Sequence, residues 1–170
     1  MRFAIRRSGT AAAAFLLACG GLTTLAATPA HAVDFACTYQ SKTFSTPGDN
    51  TFVEIDLCIR RVADGYEATA DVDWFNGGTS SVDGNRKFDR FEVQVRVEQR
   101  VDGSDVVKGS RTCDMQFSIN TSPRYGQICS KFVTHDRTAK WSADGKVVYD
   151  IDRDGEGAYT WQLTGSPLID

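Results

Sequence analysis

Strict alternation of apolar and polar side chains constrains this chain more than any other feature of it. Over residues 91–101, Phe91, Val93, Val95, Val97 and Val101 take odd positions, while Glu92, Gln94, Arg96, Glu98 and Arg100 take even ones. Successive side chains of a strand point to opposite faces, so such a run forms a strand with one dry face and one wet face. The same period sets Val53, Ile55, Leu57 and Ile59 against Glu54, Asp56, Cys58 and Arg60. It sets Tyr66, Ala68, Ala70, Val72 and Trp74 against Glu67, Thr69, Asp71 and Asp73. Cys113, Met115, Phe117 and Ile119 alternate with Asp114, Gln116 and Ser118, and shorter sets follow at Val147, Tyr149, Ile151 and at Tyr159, Trp161, Leu163. Helical periodicity is almost absent.

Turn formers separate these runs: Pro47-Gly48-Asp49-Asn50, Asp64-Gly65, Asn76-Gly77-Gly78, Asp83-Gly84-Asn85, Asp102-Gly103, Asp144-Gly145 and Asp154-Gly155. Glycine accepts positive φ, and Asp and Asn bond their own backbone, so each such pair can close a hairpin. Strands with one wet face pack as antiparallel sheets, dry face to dry face. The expectation is an all-β, two-sheet sandwich of about eight strands, Ig-like or jelly-roll, with a closed barrel as the alternative. Residues 121–140 are the least patterned and read as a loop tied down by Cys129.

The first 32 residues follow another logic. Arg2, Arg6 and Arg7 precede an apolar stretch, and Ala30-His31-Ala32 has the small-x-small form of a signal-peptidase site. Gly20, Gly21, Thr23 and Thr24 interrupt the apolar stretch, which argues against a membrane span. Residues 1–32 therefore read as a secretory signal and 33–170 as one domain. Leu16-Leu17-Ala18-Cys19-Gly20 resembles a lipobox, so a lipid anchor at Cys19 is the alternative to free secretion. Removing the leader takes away three arginines and no acid, changing the net charge from −3 to −6. An acidic chain without a basic run is a poor partner for nucleic acid. A monomer is the default. The alanine-rich leader ahead of an acidic β-rich chain resembles the small exported proteins of actinobacteria in style, without matching a named family.

Four cysteines remain beyond the leader: Cys37, Cys58, Cys113 and Cys129. An even number in an exported chain reads as two disulfides. Proximity on neighbouring strands favours Cys37–Cys58 and Cys113–Cys129 among the three pairings. No two of them have the close spacing of a zinc ligand pair.

Few residues suggest chemistry. Asp150, Asp152 and Asp154, followed by Gly155 and Glu156, resemble the DxDxDG loops of EF-hands, dockerins and propeller repeats. That resemblance implies calcium held by Asp150, Asp152, Asp154 and Glu156, since calcium takes six to eight oxygens and a glycine permits the sharp turn. The twelfth position is Trp161 rather than glutamate, and the flanks are strand-like, so an EF-hand is excluded. A solvated acidic turn is the competing reading. His135 and Asp136 lack a nucleophile motif around them. Glu54 with Asp56, Asp71 with Asp73, and Glu92 with Glu98 share strand faces in the manner of glycosidase carboxylates, but wet sheet faces carry acids for solubility as well. Phe75, beside Trp74, and Trp141, between Lys140 and Ser142, are the candidate exposed rings for ligand binding. The sequence thus points to a secreted, non-enzymatic binding domain for an extracellular carbohydrate, cell-surface component or protein, with calcium as a candidate stabiliser. The alternative is an inhibitor of an extracellular hydrolase presenting residues 118–127.

Overall fold

The computed structural model describes residues 34–78, 86–134 and 139–170. The leader, with Cys19, lies outside them, as do Asp83-Gly84-Asn85, His135 and Asp136.

The alternating runs form two four-stranded antiparallel sheets. Strands β1 (Phe35–Phe44), β2 (Thr51–Val62), β3 (Gly65–Phe75) and β6 (Arg124–Thr134) make the first, in the order β1-β2-β3-β6. Strands β5 (Ser104–Asp114), β4 (Phe88–Val101), β7 (Lys140–Ile151) and β8 (Tyr159–Gln162) make the second, in the order β5-β4-β7-β8. Neither sheet closes on itself. A short helix α1 (Gln116–Thr121) carries the chain from β5 back to β6. Among the described residues, no helix is long and apolar enough to cross a membrane.

The dry faces meet as the alternation requires. Val53, Ile55, Leu57 and Ile59 of β2 and Ala68, Ala70, Val72 and Trp74 of β3 are buried against Phe91, Val93, Val95 and Val97 of β4. Phe44, Phe88, Phe91, Tyr149 and Trp161 form a cluster of edge-to-face rings at one end of the core. At the other end Tyr66 of β3 stacks on Trp141 of β7 at 4.6 Å, ring against ring across the two sheets.

Two covalent ties fix the layers. Cys37–Cys58 joins directly opposed residues of β1 and β2. Cys113–Cys129 joins β5 to β6, the edge strands of different sheets, and so pins one sheet to the other.

The turns follow their residue chemistry. Asp102 and Gly103 both have positive φ, 50° and 82°, which is the two-residue hairpin geometry that suits twisted strands. The β2–β3 hairpin closes through Ala63-Asp64, one residue earlier than Asp64-Gly65, because Val62 pairs with Gly65. Gly65 lies in β3, where a side chain would collide with the Val133 carbonyl of β6.

Other expectations are corrected as well. Where the expected loop at 121–140 is described, most of it is strand: 124–134 form edge strand β6, whose outward and inward faces are both partly wet, which blurs its alternation. Met115–Ile119 is not a strand. The chain turns into α1 as Asp114 Oδ1 accepts from the Gln116 amide at 2.9 Å, and Met115 and Ile119, four apart, bury one helical face. Asp144-Gly145 is not a turn but lies inside β7, opposite Arg96 and Val95. Trp141 is not exposed; it is fully buried against Tyr66. Its polar neighbours Lys140 and Ser142 sit on the opposite side of the same strand, as period two requires.

Candidate functional site

The two wet faces of the sandwich differ in kind. On the β5-β4-β7-β8 sheet, cations and anions are interspersed and several are paired. Arg96 bonds Glu98 at 2.9 Å and also holds Asp144, Arg90 holds Glu92 at 2.7 Å, and Arg100 holds Asp105 at 2.8 Å. This accounts for Glu92 and Glu98 as members of ion pairs.

The outer face of the β1-β2-β3-β6 sheet is organised otherwise. Its register stacks side chains in rows across the four strands: Phe35–Arg60–Glu67–Phe132, Cys37–Cys58–Thr69–Ser130, Tyr39–Asp56–Asp71–Ile128, and Ser41–Glu54–Asp73–Gly126. Aromatic or aliphatic residues hold both edges of the first and third rows, carboxylates fill the middle of the third and fourth, and the next row, Thr43–Phe52–Phe75–Arg124, puts rings in the middle and a cation at the edge. Phe35, Tyr39, Ile128 and Phe132 leave 57%, 58%, 62% and 42% of their surface in solvent. Between them a shallow depression of about 540 Å³ is floored by the Cys37–Cys58 disulfide and walled by Asp56, Asp71, Arg60 and Ile128.

The electrostatics of that depression are one-sided. Arg60 is neutralised by Glu67, with Nε at 2.8 Å from Oε2. Among the described residues, Glu54, Asp56, Asp71 and Asp73 take part in no ion pair. Partial desolvation pushes the Asp71 carboxyl above the usual aspartate range, and the neighbouring Asp73 and Asp56 push it further. Tyr39 donates its hydroxyl to Glu54, and that bond raises the phenol's own pKa. Gly126 leaves the space that Asp73 occupies, since a Cβ there would collide with Asp73 Oδ1.

The residues expected from sequence fall elsewhere. Phe75 lies on this outer face but at its far end, half-buried beside Phe52, with the Arg124 guanidinium 4.4 Å from its ring centre. The acidic turn does not gather its carboxylates. Asp150 stands opposite Arg90 in the ladder. Asp152 is buried, 3.5 Å from both Arg86 and Arg153. Asp154 accepts from the Glu156 amide at 2.9 Å, and Glu156 accepts from the Tyr159 hydroxyl, which pushes that phenol up to about 12. Among the described residues no three His, Cys, Asp or Glu side chains come together as a metal ligand set. Residues 118–127 are not a presented loop either, because α1 takes their start and β6 their end.

The sequence shows the pairs Glu54/Asp56 and Asp71/Asp73, but neither their confrontation nor the exposed Phe35, Tyr39, Ile128 and Phe132 on the same face. The signal available was the β2–β3 hairpin, which folds one acidic pair onto the other. Compared with known proteins, the chain matches no family model, no curated protein and no solved structure.

Proposed function

We propose that the chain is an exported, non-enzymatic binding domain whose ligand face is the outer face of the β1-β2-β3-β6 sheet. The observation that carries this reading is the contrast between the two wet faces. One intersperses cations with its anions and pairs several of them, while the other gathers four carboxylates, in no ion pair among the described residues, beside exposed aromatic and aliphatic side chains. Like charges directly opposite on a sheet are destabilising, and exposed apolar clusters favour association. An arrangement that costs stability in the free protein is accounted for by a ligand that covers it. The two disulfides suit an oxidising, extracellular setting, and Cys37–Cys58 stiffens the floor of the face.

The test compares the oxidised protein with a Tyr39→Ser/Ile128→Ser variant, both immobilised and offered extracellular polysaccharides and secreted proteins. Both substituted positions are exposed, so the fold is expected to persist. A ligand held by the parent and lost by the variant supports the reading. Equal retention by both overturns the assignment of the face.

A further inference from the structure

We infer that the occupant of this face is an extended, basic segment of a partner protein, laid along β1 with an arginine or lysine directed across Tyr39 toward Asp56. The inference rests on the reading of this sheet face as the ligand face and specifies its partner.

Three observations select that occupant. The first is charge. Glu54, Asp56, Asp71 and Asp73 present unmatched negative charge, so a cationic side chain is complementary. The same sign excludes a second copy seated face to face, since the carboxylates of one copy would meet those of the other.

The second is the edge of β1. Among the described residues β1 pairs with β2 alone. The 4.0 Å separation of the Cys37 and Cys58 Cα atoms marks a narrow, non-hydrogen-bonded pair. By alternation, the main-chain N–H and C=O groups of Phe35, Cys37, Tyr39 and Ser41 point away from β2, toward the open edge. The side chains of these residues line the outer face. The C-terminal segment is held under β1 on the other side, through Thr38 to Gly165 and Gln40 to Thr164. A polypeptide can pair with those edge groups as an added strand; a sugar polymer has no such ladder to offer.

The third is size. Four strands about 4.8 Å apart and some nine residues long make a face of roughly 400 Å². That is about half the surface each partner buries in a standard protein–protein interface, and it suits a segment rather than a whole domain.

The experiment titrates the oxidised protein with three probes and follows backbone amide shifts. The probes are a capped octapeptide alternating arginine and phenylalanine, the same peptide with glutamate for arginine, and a glucosamine hexamer. The arginine peptide is expected to shift the amides of Tyr39, Asp56, Asp71 and the β1 edge. Its affinity should fall about tenfold in Asp56→Asn/Asp71→Asn, as expected for two partly exposed charge pairs. These replacements keep side-chain volume, and the variant's own spectrum reports its fold. Equal binding of the glutamate peptide, or undiminished arginine-peptide binding by the variant, overturns the inference while leaving the face as a ligand site. So does binding of the glucosamine hexamer there with the arginine peptide silent. Shifts confined to other surfaces, or none with any probe, overturn both.

Discussion

Asp56 and Asp71 stand directly opposite one another on β2 and β3, two carboxylates on one face with no ion-pair partner among the described residues. The Asp71 carboxyl lies above its usual value in the folded protein, so the unfolded chain ionises first as pH rises. Stability therefore falls as pH climbs from 3.8 through the folded value, and the cost persists at neutral pH. Asp71→Asn should raise the unfolding midpoint at pH 7 by the equivalent of a fraction of a kcal/mol, because the pair is partly screened by water. Thermal unfolding at pH 7 and pH 3 checks this: the gain should vanish in acid.

Cys113–Cys129 connects the two sheets, and Cys129 is buried, whereas Cys37–Cys58 is a tie within one sheet on its outer face. Removing either bridge releases a loop whose closure entropy amounts to about 3 kcal/mol. Cys113→Ala/Cys129→Ala also loosens sheet-on-sheet packing. Denaturant unfolding should show the larger loss for that pair.

Lys87 is almost fully buried, and its ammonium donates to the carbonyls of Pro47 and Asp49 at 2.7 and 2.8 Å, closing the β1–β2 loop around itself. Lys87→Met should cost about 1–2 kcal/mol through those lost bonds and open residues 45–50 to proteolysis. Burial lowers the Lys87 pKa, so the unfolded chain holds the proton more tightly. The parent's advantage over the variant should therefore widen as pH rises from the folded value toward 10.5.

At the acidic turn, Asp152 already lies 3.5 Å from Arg86 and Arg153, and Asp154 and Glu156 have partners of their own. Calcium would have to displace these contacts. Millimolar calcium should move the thermal midpoint by less than about one degree, against several degrees for a ligand at a hundredfold excess over Kd. A larger shift, lost in Asp152→Asn/Asp154→Asn, would restore the turn as a metal site.

What was legible in the sequence is what period two encodes. Val53 to Ile59, Tyr66 to Trp74 and Phe91 to Val97 all face inward as their alternation requires, and both disulfides join the cysteines that strand proximity favours. The misreadings arise where that period is ambiguous. Met115 and Ile119 satisfy alternation and the helical i, i+4 spacing alike; Phe117 between them, 76% exposed, belongs to the helix. Strand β6 has Ile128 and Phe132 outward and Cys129 inward, so neither face is uniformly dry. Trp141 has polar neighbours in sequence, yet in a strand those neighbours are on the other face. The acidic pairs were visible, but their meeting depends on register. A turn at Asp64-Gly65 sets Asp56 against Asp73; the observed turn sets it against Asp71. Either way the hairpin brings carboxylate onto carboxylate, and only the fold adds the flanking rings from β1 and β6.

The most direct test of the binding face is charge reversal at its centre. Asp71→Lys places a cation opposite Asp56 at an exposed position, where the fold should tolerate it. Calorimetric titration of the variant with the arginine octapeptide should show its affinity cut well below the parent's, since the introduced ammonium neutralises Asp56 and leaves only Glu54 and Asp73 of the four carboxylates unmatched. An undiminished affinity for the arginine peptide would contradict the account.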